Sequence, residues 1–257
     1  KAFDSENNYS LTKYLQGEFN KGRVFEESSF DANNNPYNKI GYIWNDSTEI
    51  VPGGRFVYLE RKDSHVYDGD GSGRRTAEEF FYEETPQLGN LTRVVQLGEV
   101  DLNTGGDTGA DTRTVETTYL NHTTGNWFAG FPEMVTIKDH NGNTVRKTWF
   151  DYNDLAGLTR KENWAGDGPQ DVNPVTFYTY DSYGNLLTTT DPMARVTAIT
   201  YDTAYDIFPL TTTNALGHAV VNEYYGVNGV PLDSGDGYTG LWGQLKSTTD
   251  PNQQVGK

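Results

Sequence analysis

FYTYDSYGNLLTTTDPMARVTAITYDTAYDI, residues 177–207, carries the pattern from which the rest of the chain is read. Tyr180-Asp181 recurs as Tyr201-Asp202, with Tyr183-Gly184-Asn185 and Asp191-Pro192 between them. An alternating run ends in Tyr-Asp, a Gly-Asn turn reverses it, a Thr-rich run returns, and Asp-Pro stops the return. Gly and Asn tolerate the positive φ of tight reversals. Pro cannot donate to a ladder and so ends one. Periods of about 20–50 residues mark stacked arrays, in which each unit covers its neighbour. The stretch predicts an antiparallel hairpin array.

Outward from this stretch the same signals continue. Period-two alternation predicts strands over residues 23–30, 41–44, 55–61, 92–97, 112–120, 134–138, 145–152, 175–180, 195–201 and 219–225. Between them fall turn residues such as Asn141-Gly142-Asn143, Asn214–Gly217 and Asn228-Gly229. Helical spacing is confined to Ser5–Phe19 and Arg75–Glu84, each expected to give a turn or two. Two acidic loops, Asp68–Gly73 and Asp101–Asp111, read as long hairpin tips. No low-complexity linker interrupts the chain. One continuous β-array over 1–257 is therefore expected, irregular over 1–130 and regular over 131–257.

Composition narrows the partners. With 36 acidic against 20 basic residues, the formal charge of -16 repels phosphate backbones and anionic membranes, which argues against nucleic acid or lipid headgroups as ligands. The absence of Cys excludes disulfides and thiolate metal sites. No run approaches the ~18 apolar residues of a spanning helix, so no membrane insertion by this segment is expected. KAFDSENNYS carries no signal-peptide core, so any export signal is expected to lie elsewhere. Aromatics reach 13% while all hydrophobic residues make up only 35%. That balance predicts a folded but thin β layer, wet on one face, rather than a thick core.

The segments Tyr180-Asp181-Ser182-Tyr183-Gly184-Asn185-Leu186, Thr190-Asp191-Pro192 and Tyr201-Asp202 resemble the YD-repeat (Rhs) family. So do Phe208-Pro209, Asn214–His218, Gly243-Gln244-Leu245 and Thr249-Asp250-Pro251-Asn252. FPLTTTNALGH (208–218) is similar to chains organised like the B component of bacterial insecticidal Tc toxin complexes. Residues 17–29, 91–98 and 117–134 are similar to the region ahead of the regular repeats in such proteins. The resemblance is dense in the second half and looser in the first. It implies a β-sheet that spirals into a hollow shell around a toxic polypeptide, with this segment as wall and as a section of a longer protein. Self-cleaving members carry paired Asp-Pro-x-Gly motifs. Here Asp191-Pro192 continues as Met193-Ala194 and Asp250-Pro251 as Asn252-Gln253, so no autoproteolysis is placed in this segment.

Several constellations carry possible chemistry. Asp68, Asp70 and Ser72, with Glu79 further on, match the oxygen spacing of a Ca²⁺ loop. The flanks are not helical, however, and an acidic hairpin tip accounts for the same residues. Asp107-Thr108-Gly109 and Asp233-Ser234-Gly235 match the aspartic-protease triplet, yet neither follows a strong hydrophobic strand. His65, His122, His140 and His218 show no zinc spacing; His218 is assigned to a turn. Trp127 and Trp242 lie near turns, where rings serve either to pack across strands or to stack on sugars.

The fold expected is all-β, an open segment of a spiral hairpin shell. The function expected is structural and non-enzymatic: a wall segment of a secreted or cell-surface bacterial toxin-like protein. Its partners would be a polypeptide cargo or the neighbouring repeats of a longer chain. The alternative is an extracellular carbohydrate-binding module using Trp127 and Trp242, with or without Ca²⁺.

Overall fold

A computed structural model of the chain describes residues 2–4, 6–68, 72–83, 88–120, 129–233 and 239–256. Among these residues there is no helix, and strands follow one another as an antiparallel meander. The chain divides into two compact units, Lys1–Lys147 and Thr148–Lys257. The first holds β1 (Ala2–Phe3), β2 (Tyr9–Tyr14), β3 (Val24–Phe30), β4 (Pro36–Val51), β5 (Gly54–Tyr67), β6 (Gly73–Tyr82), β7 (Leu91–Val100), β8 (Arg113–Tyr119) and β9 (Pro132–Lys138). β10 (Thr144–Tyr152) runs through the division. The second unit continues with β11 (Leu158–Asn163), β12 (Val175–Tyr180), β13 (Leu186–Thr190), β14 (Val196–Tyr201), β15 (Pro209–Thr213), β16 (Ala219–Tyr224), β17 (Leu245–Thr249) and β18 (Val255–Gly256). Each strand pairs antiparallel with its sequence neighbour from β1 to β9, and again from β10 to β18.

One turn is used repeatedly. At Asp4, Asp31, Asp139, Asn153, Asp181, Asp191, Asn214 and Asp250 the backbone N–H donates to the carbonyl four residues on. The side-chain oxygen of the same residue accepts the N–H groups two and four residues later. The residue at the fourth position takes positive φ: Asn7, Asn34, Gly142, Ala156, Gly184, Ala194, Gly217 and Gln253. Asp-Pro therefore does more than stop a strand, since Asp191 heads the same reversal as Asp181. The turn also heads Asp4 and Asp31, well upstream of the part where the sequence repeat is regular.

The second recurring device is an aromatic residue placed at a register shift, at the end of alternate strands except for Trp44, which lies within β4. Tyr14 pairs with Val24, Trp44 with Leu59, Tyr82 with Leu91 and Tyr119 with Pro132. In the second unit Tyr152 pairs with Leu158, Tyr180 with Leu186, Tyr201 with Pro209 and Tyr224 with Leu245. Several of these rings reach back to the preceding pair. Tyr180 Oη donates to Leu158 O (2.9 Å), Tyr201 to Leu186 O (3.3 Å) and Tyr224 to Pro209 O (3.3 Å). In the first unit Tyr119 Oη donates to Leu91 O (2.8 Å) and Trp44 Nε1 to Val24 O (2.7 Å). A bulge turns the side chain out of the regular alternation, and the hydroxyl then satisfies a carbonyl in the previous hairpin.

The two segments with helical spacing are strands. Ser5–Phe19 contains β2, and Arg75–Glu84 lies largely in β6. In β6 the alternation is masked, because Arg75 and Glu79 stand on one face with Ala77, opposite His65, Arg61 and Asp63 of β5. Charges that neutralise one another occupy positions where sequence reading looks for apolar residues. Among the described residues only Ala77, Val100, Tyr225 and Val227 are buried apolar side chains.

Candidate functional site

In the first unit an ionic network organises one face of β5 and β6. Asp63 is 8% exposed. Its carboxylate accepts Arg61 Nε (3.0 Å) and Nη2 (3.2 Å) and Arg75 Nε (2.9 Å). Burial pushes the Asp63 carboxyl up, but the two guanidinium groups outweigh it and hold it below the usual range. Arg61 donates onward to Glu79 Oε1 (2.8 Å) and to Gly105 O (2.6 Å). Arg75 Nη1 reaches Leu102 O at 3.3 Å. The 101–111 loop is thus not a free hairpin tip: two arginines strap its carbonyls over the strands. A Cβ at Gly105, where φ is +69°, would lie 2.7 Å from Arg75 Nη2, so the close approach depends on glycine.

Next to this network lies a groove of about 1280 Å³. Phe56, Tyr58 and Tyr82 form a ring cluster in it, with centroids 5.2 Å (Phe56–Tyr58), 5.6 Å (Phe56–Tyr82) and 4.9 Å (Tyr58–Tyr82) apart. Tyr119 and Glu83 complete that end. Burial and the nearby Tyr58 push the Tyr82 phenol up; burial, with Glu83 contributing, does the same for Tyr119. Besides these rings, the groove is lined by Glu60, Glu79, Glu83 and Glu116 and by Arg61 and Arg93.

The second unit holds a four-ring cluster. Trp242 meets Tyr205 at 5.0 Å and Phe208 at 5.3 Å, both edge-on, and Phe208 meets Tyr224 at 5.1 Å. Trp242 is 50% exposed and packs over Gly226. In the same unit, Asp202 is only 1% exposed. Its carboxylate accepts four backbone N–H groups: Ala204 (3.1 Å), Tyr205 (2.7 Å), Ile207 (3.1 Å) and Phe208 (3.0 Å). No cation is needed to hold this charge, because the loop's own donors surround it.

The residues singled out in sequence are distributed unevenly. Asp68 and Ser72 share a turn, with Ser72 Oγ 3.4 Å from Asp68 Oδ2, while Asp70 lies outside the described residues. Glu79 does not join them. It stands six positions beyond Gly73 on β6, about 20 Å along a strand, and its carboxylate is committed to Arg61. The spacing that suits a Ca²⁺ loop requires the segment to curl back, and a strand carries it away. Trp127 and His122 lie outside the described residues, as do Ser234 and Gly235. Asp107 spends its carboxylate on Thr112 Oγ1 (2.7 Å) and Gly109 N (3.1 Å). His218 N donates to Asn214 Oδ1 (3.0 Å), placing it in the turn assigned to it. His65 Nδ1 lies 3.1 Å from Tyr67 Oη, and burial and Arg75 depress its basicity.

Sequence reading missed the Arg61–Asp63–Arg75 network, the aromatic groove and the Asp202 loop. Only the last left a legible trace, in the Tyr201-Asp202 pair.

No protein-family model and no curated protein matches the chain. Its fold is similar to that in the crystal structure of TcdB2-TccC3-TEV, with a TM-score of 0.60 and 11% identity over 92% of this chain and 16% of that one. The crystal structure of TcdB2-TccC3 without its hypervariable C-terminal region is similar at a TM-score of 0.60 and 10% identity, with 92% and 16% covered. The chain thus spans only 16% of the length of each of these chains. Likeness at this identity shows the fold: a Tc-toxin-like, all-β antiparallel sheet.

Proposed function

We propose that this chain is a wall segment of a YD-repeat, Tc-toxin-like shell, a non-catalytic scaffold that encloses a polypeptide in an extracellular protein. The observation that carries this reading is a meander of recurring rungs, in which bulged aromatics end most alternate strands and eight Asp- or Asn-headed tight turns reverse the chain, two of them directly after a bulged aromatic (Tyr152 and Tyr180). Rungs of this kind let a sheet grow by addition of identical hairpins without a second layer to cover it. The two similar Tc toxin structures, matched over 92% of this chain, support the same reading. Asp107, one of the two carboxylates weighed for catalysis, accepts Thr112 Oγ1 and the Gly109 N–H within its own loop, which supports a structural role for it.

The test is protease protection. A longer product that carries this segment and its downstream polypeptide should leave that polypeptide resistant to trypsin while the wall is folded. Acid or urea that unfolds the wall should remove the resistance. Digestion of the polypeptide at the same rate with the wall intact would exclude enclosure.

A second reading, a carbohydrate-binding module, is favoured by one feature alone: half-exposed Trp242 at the edge of a ring cluster. Glycan-array binding abolished by Trp242→Ala would support it, and an array without hits would remove it.

A further inference from the structure

Two Asn-Gly pairs stand in turns of this chain, Asn141-Gly142 and Asn228-Gly229. They are matched in much that governs the chemistry of an Asn side chain. All four residues are exposed. Each glycine has φ of +80°, with nothing within 4 Å of the place a Cβ would take. They differ at the glycine nitrogen. Gly142 N donates to Asp139 O at 3.0 Å, in the turn where Asp139 Oδ1 also accepts the N–H groups of Asn141 and Asn143. In the reversal after β16, Val230 N donates to Val227 O (2.9 Å) and Gly226 N to Val230 O (2.9 Å). Gly229 N, between them, has no acceptor among the described residues and is left to water.

We propose that Asn228 is a site of spontaneous deamidation, at which the Gly229 backbone nitrogen displaces the side-chain amide and water completes the conversion to aspartate and isoaspartate. Hydroxide takes the proton from Gly229 N, and the nitrogen lone pair attacks Asn228 Cγ. A C–N bond forms, the Cγ–Nδ2 bond breaks, and ammonia leaves from a five-membered imide. Water then opens the ring. Attack at Cγ gives aspartate, and attack at the main-chain carbonyl gives isoaspartate. Nothing is oxidised or reduced, and the reactants beyond the protein are water and hydroxide.

The free N–H is what singles out Asn228. A nitrogen whose proton already points at a carbonyl must give up that bond before it can be deprotonated and turn toward Cγ, and Gly142 is in that position. The consequence is also local. Isoaspartate carries the side-chain CH₂ into the main chain, while the Asn228-Gly229 reversal is a two-residue turn with φ of +49° and +80° closed by a single hydrogen bond. Val227, the residue before it, is 1% exposed. The inserted atom therefore falls where the chain has no slack. This goes beyond the wall reading and stands without it, since it requires only the folded turn.

The test follows the intact chain in mildly alkaline buffer at body temperature. Peptides containing residues 141 and 228 are compared over time by mass spectrometry for the gain of one mass unit, and isoaspartate is scored with an isoaspartyl methyltransferase and labelled methyl donor. Conversion at Asn228 should run roughly fivefold faster than at Asn141, the factor expected from sparing one backbone hydrogen bond. In concentrated urea, where neither turn persists, the two rates should come together. Equal rates in the folded chain, faster conversion at Asn141, or a difference that survives in urea would each overturn the proposal. So would a folded chain that stays unconverted at Asn228 while the unfolded one reacts.

Discussion

Asp202 illustrates how this protein assigns carboxylates to its backbone. Taking it out of water is the largest single influence on it and raises its affinity for a proton. The N–H groups of Phe208, Tyr205, Ile207 and Ala204 together reverse that and hold its carboxyl below the usual range. The sign of the pH dependence follows. The folded value is depressed relative to about 3.9 in an unfolded chain, so the stabilisation is complete above that value and is lost as pH falls through the folded one. Asp202→Ala should lower stability by about 2–3 kcal/mol at pH 7, because buried donors lose a charged acceptor. Asp202→Asn should cost less and should flatten the acid limb of a plot of urea midpoint against pH. An acid limb unchanged in Asp202→Asn would show that other carboxylates carry it. The Tyr-Asp pair was legible in sequence as a strand end. Its burial was not, since the donors come from residues 204–208, which sequence gives no reason to fold back.

At the scale of the element, the alternating strands and the Asn/Gly turns were readable because both are local: side-chain alternation and positive φ are set by neighbours in sequence. β5 and β6 were only partly readable, because Arg61, Asp63, Arg75 and Glu79 satisfy one another across strands and leave no apolar alternation to detect. The aromatic rung was hidden for a related reason. Its constant feature is the ring on a bulge, while the following residue varies among Leu15, Asn45, Glu83, Leu120, Asn153, Asp181, Asp202 and Tyr225. Apart from Asn45, each gives its backbone N–H to a carbonyl across the turn, and that demand does not fix the side chain. The turn itself makes a paired prediction. Gly184 has φ of +89° with open space where a Cβ would stand, and Ala194 occupies the equivalent place with φ of +60°. Left-handed backbone costs an L-residue about 1–2 kcal/mol, and glycine avoids that at some entropic expense. Ala194→Gly should therefore stabilise by about 0.5–1 kcal/mol and Gly184→Ala should destabilise by about 1 kcal/mol. Thermal melts of both variants check this, and shifts of the same sign would refute the equivalence of the two turns.

For the whole molecule the governing fact is how little is covered. The chain exposes 15999 Å², against about 11,000 Å² for a globular protein of its 28.7 kDa mass. The fold class was legible, since Tyr and Thr in place of aliphatic residues already suit a thin sheet. β10 runs through the division at Lys147 and Thr148 without a Pro/Gly linker. With so few buried apolar side chains, stability has to come from contacts between neighbouring strands, and such contacts act over short range. A lesion in one hairpin should then spread only to the strands beside it. Hydrogen exchange by mass spectrometry on Asp202→Ala measures that spread. Amides of β14 and β15 should lose most of their protection, those of β13 and β16 part of it, and those of β11, in the same unit, should exchange as in the unaltered chain. A uniform loss of protection across β10–β18 would mean that this unit folds as a single cooperative body, and the additive, hairpin-by-hairpin account of its stability would have to be abandoned.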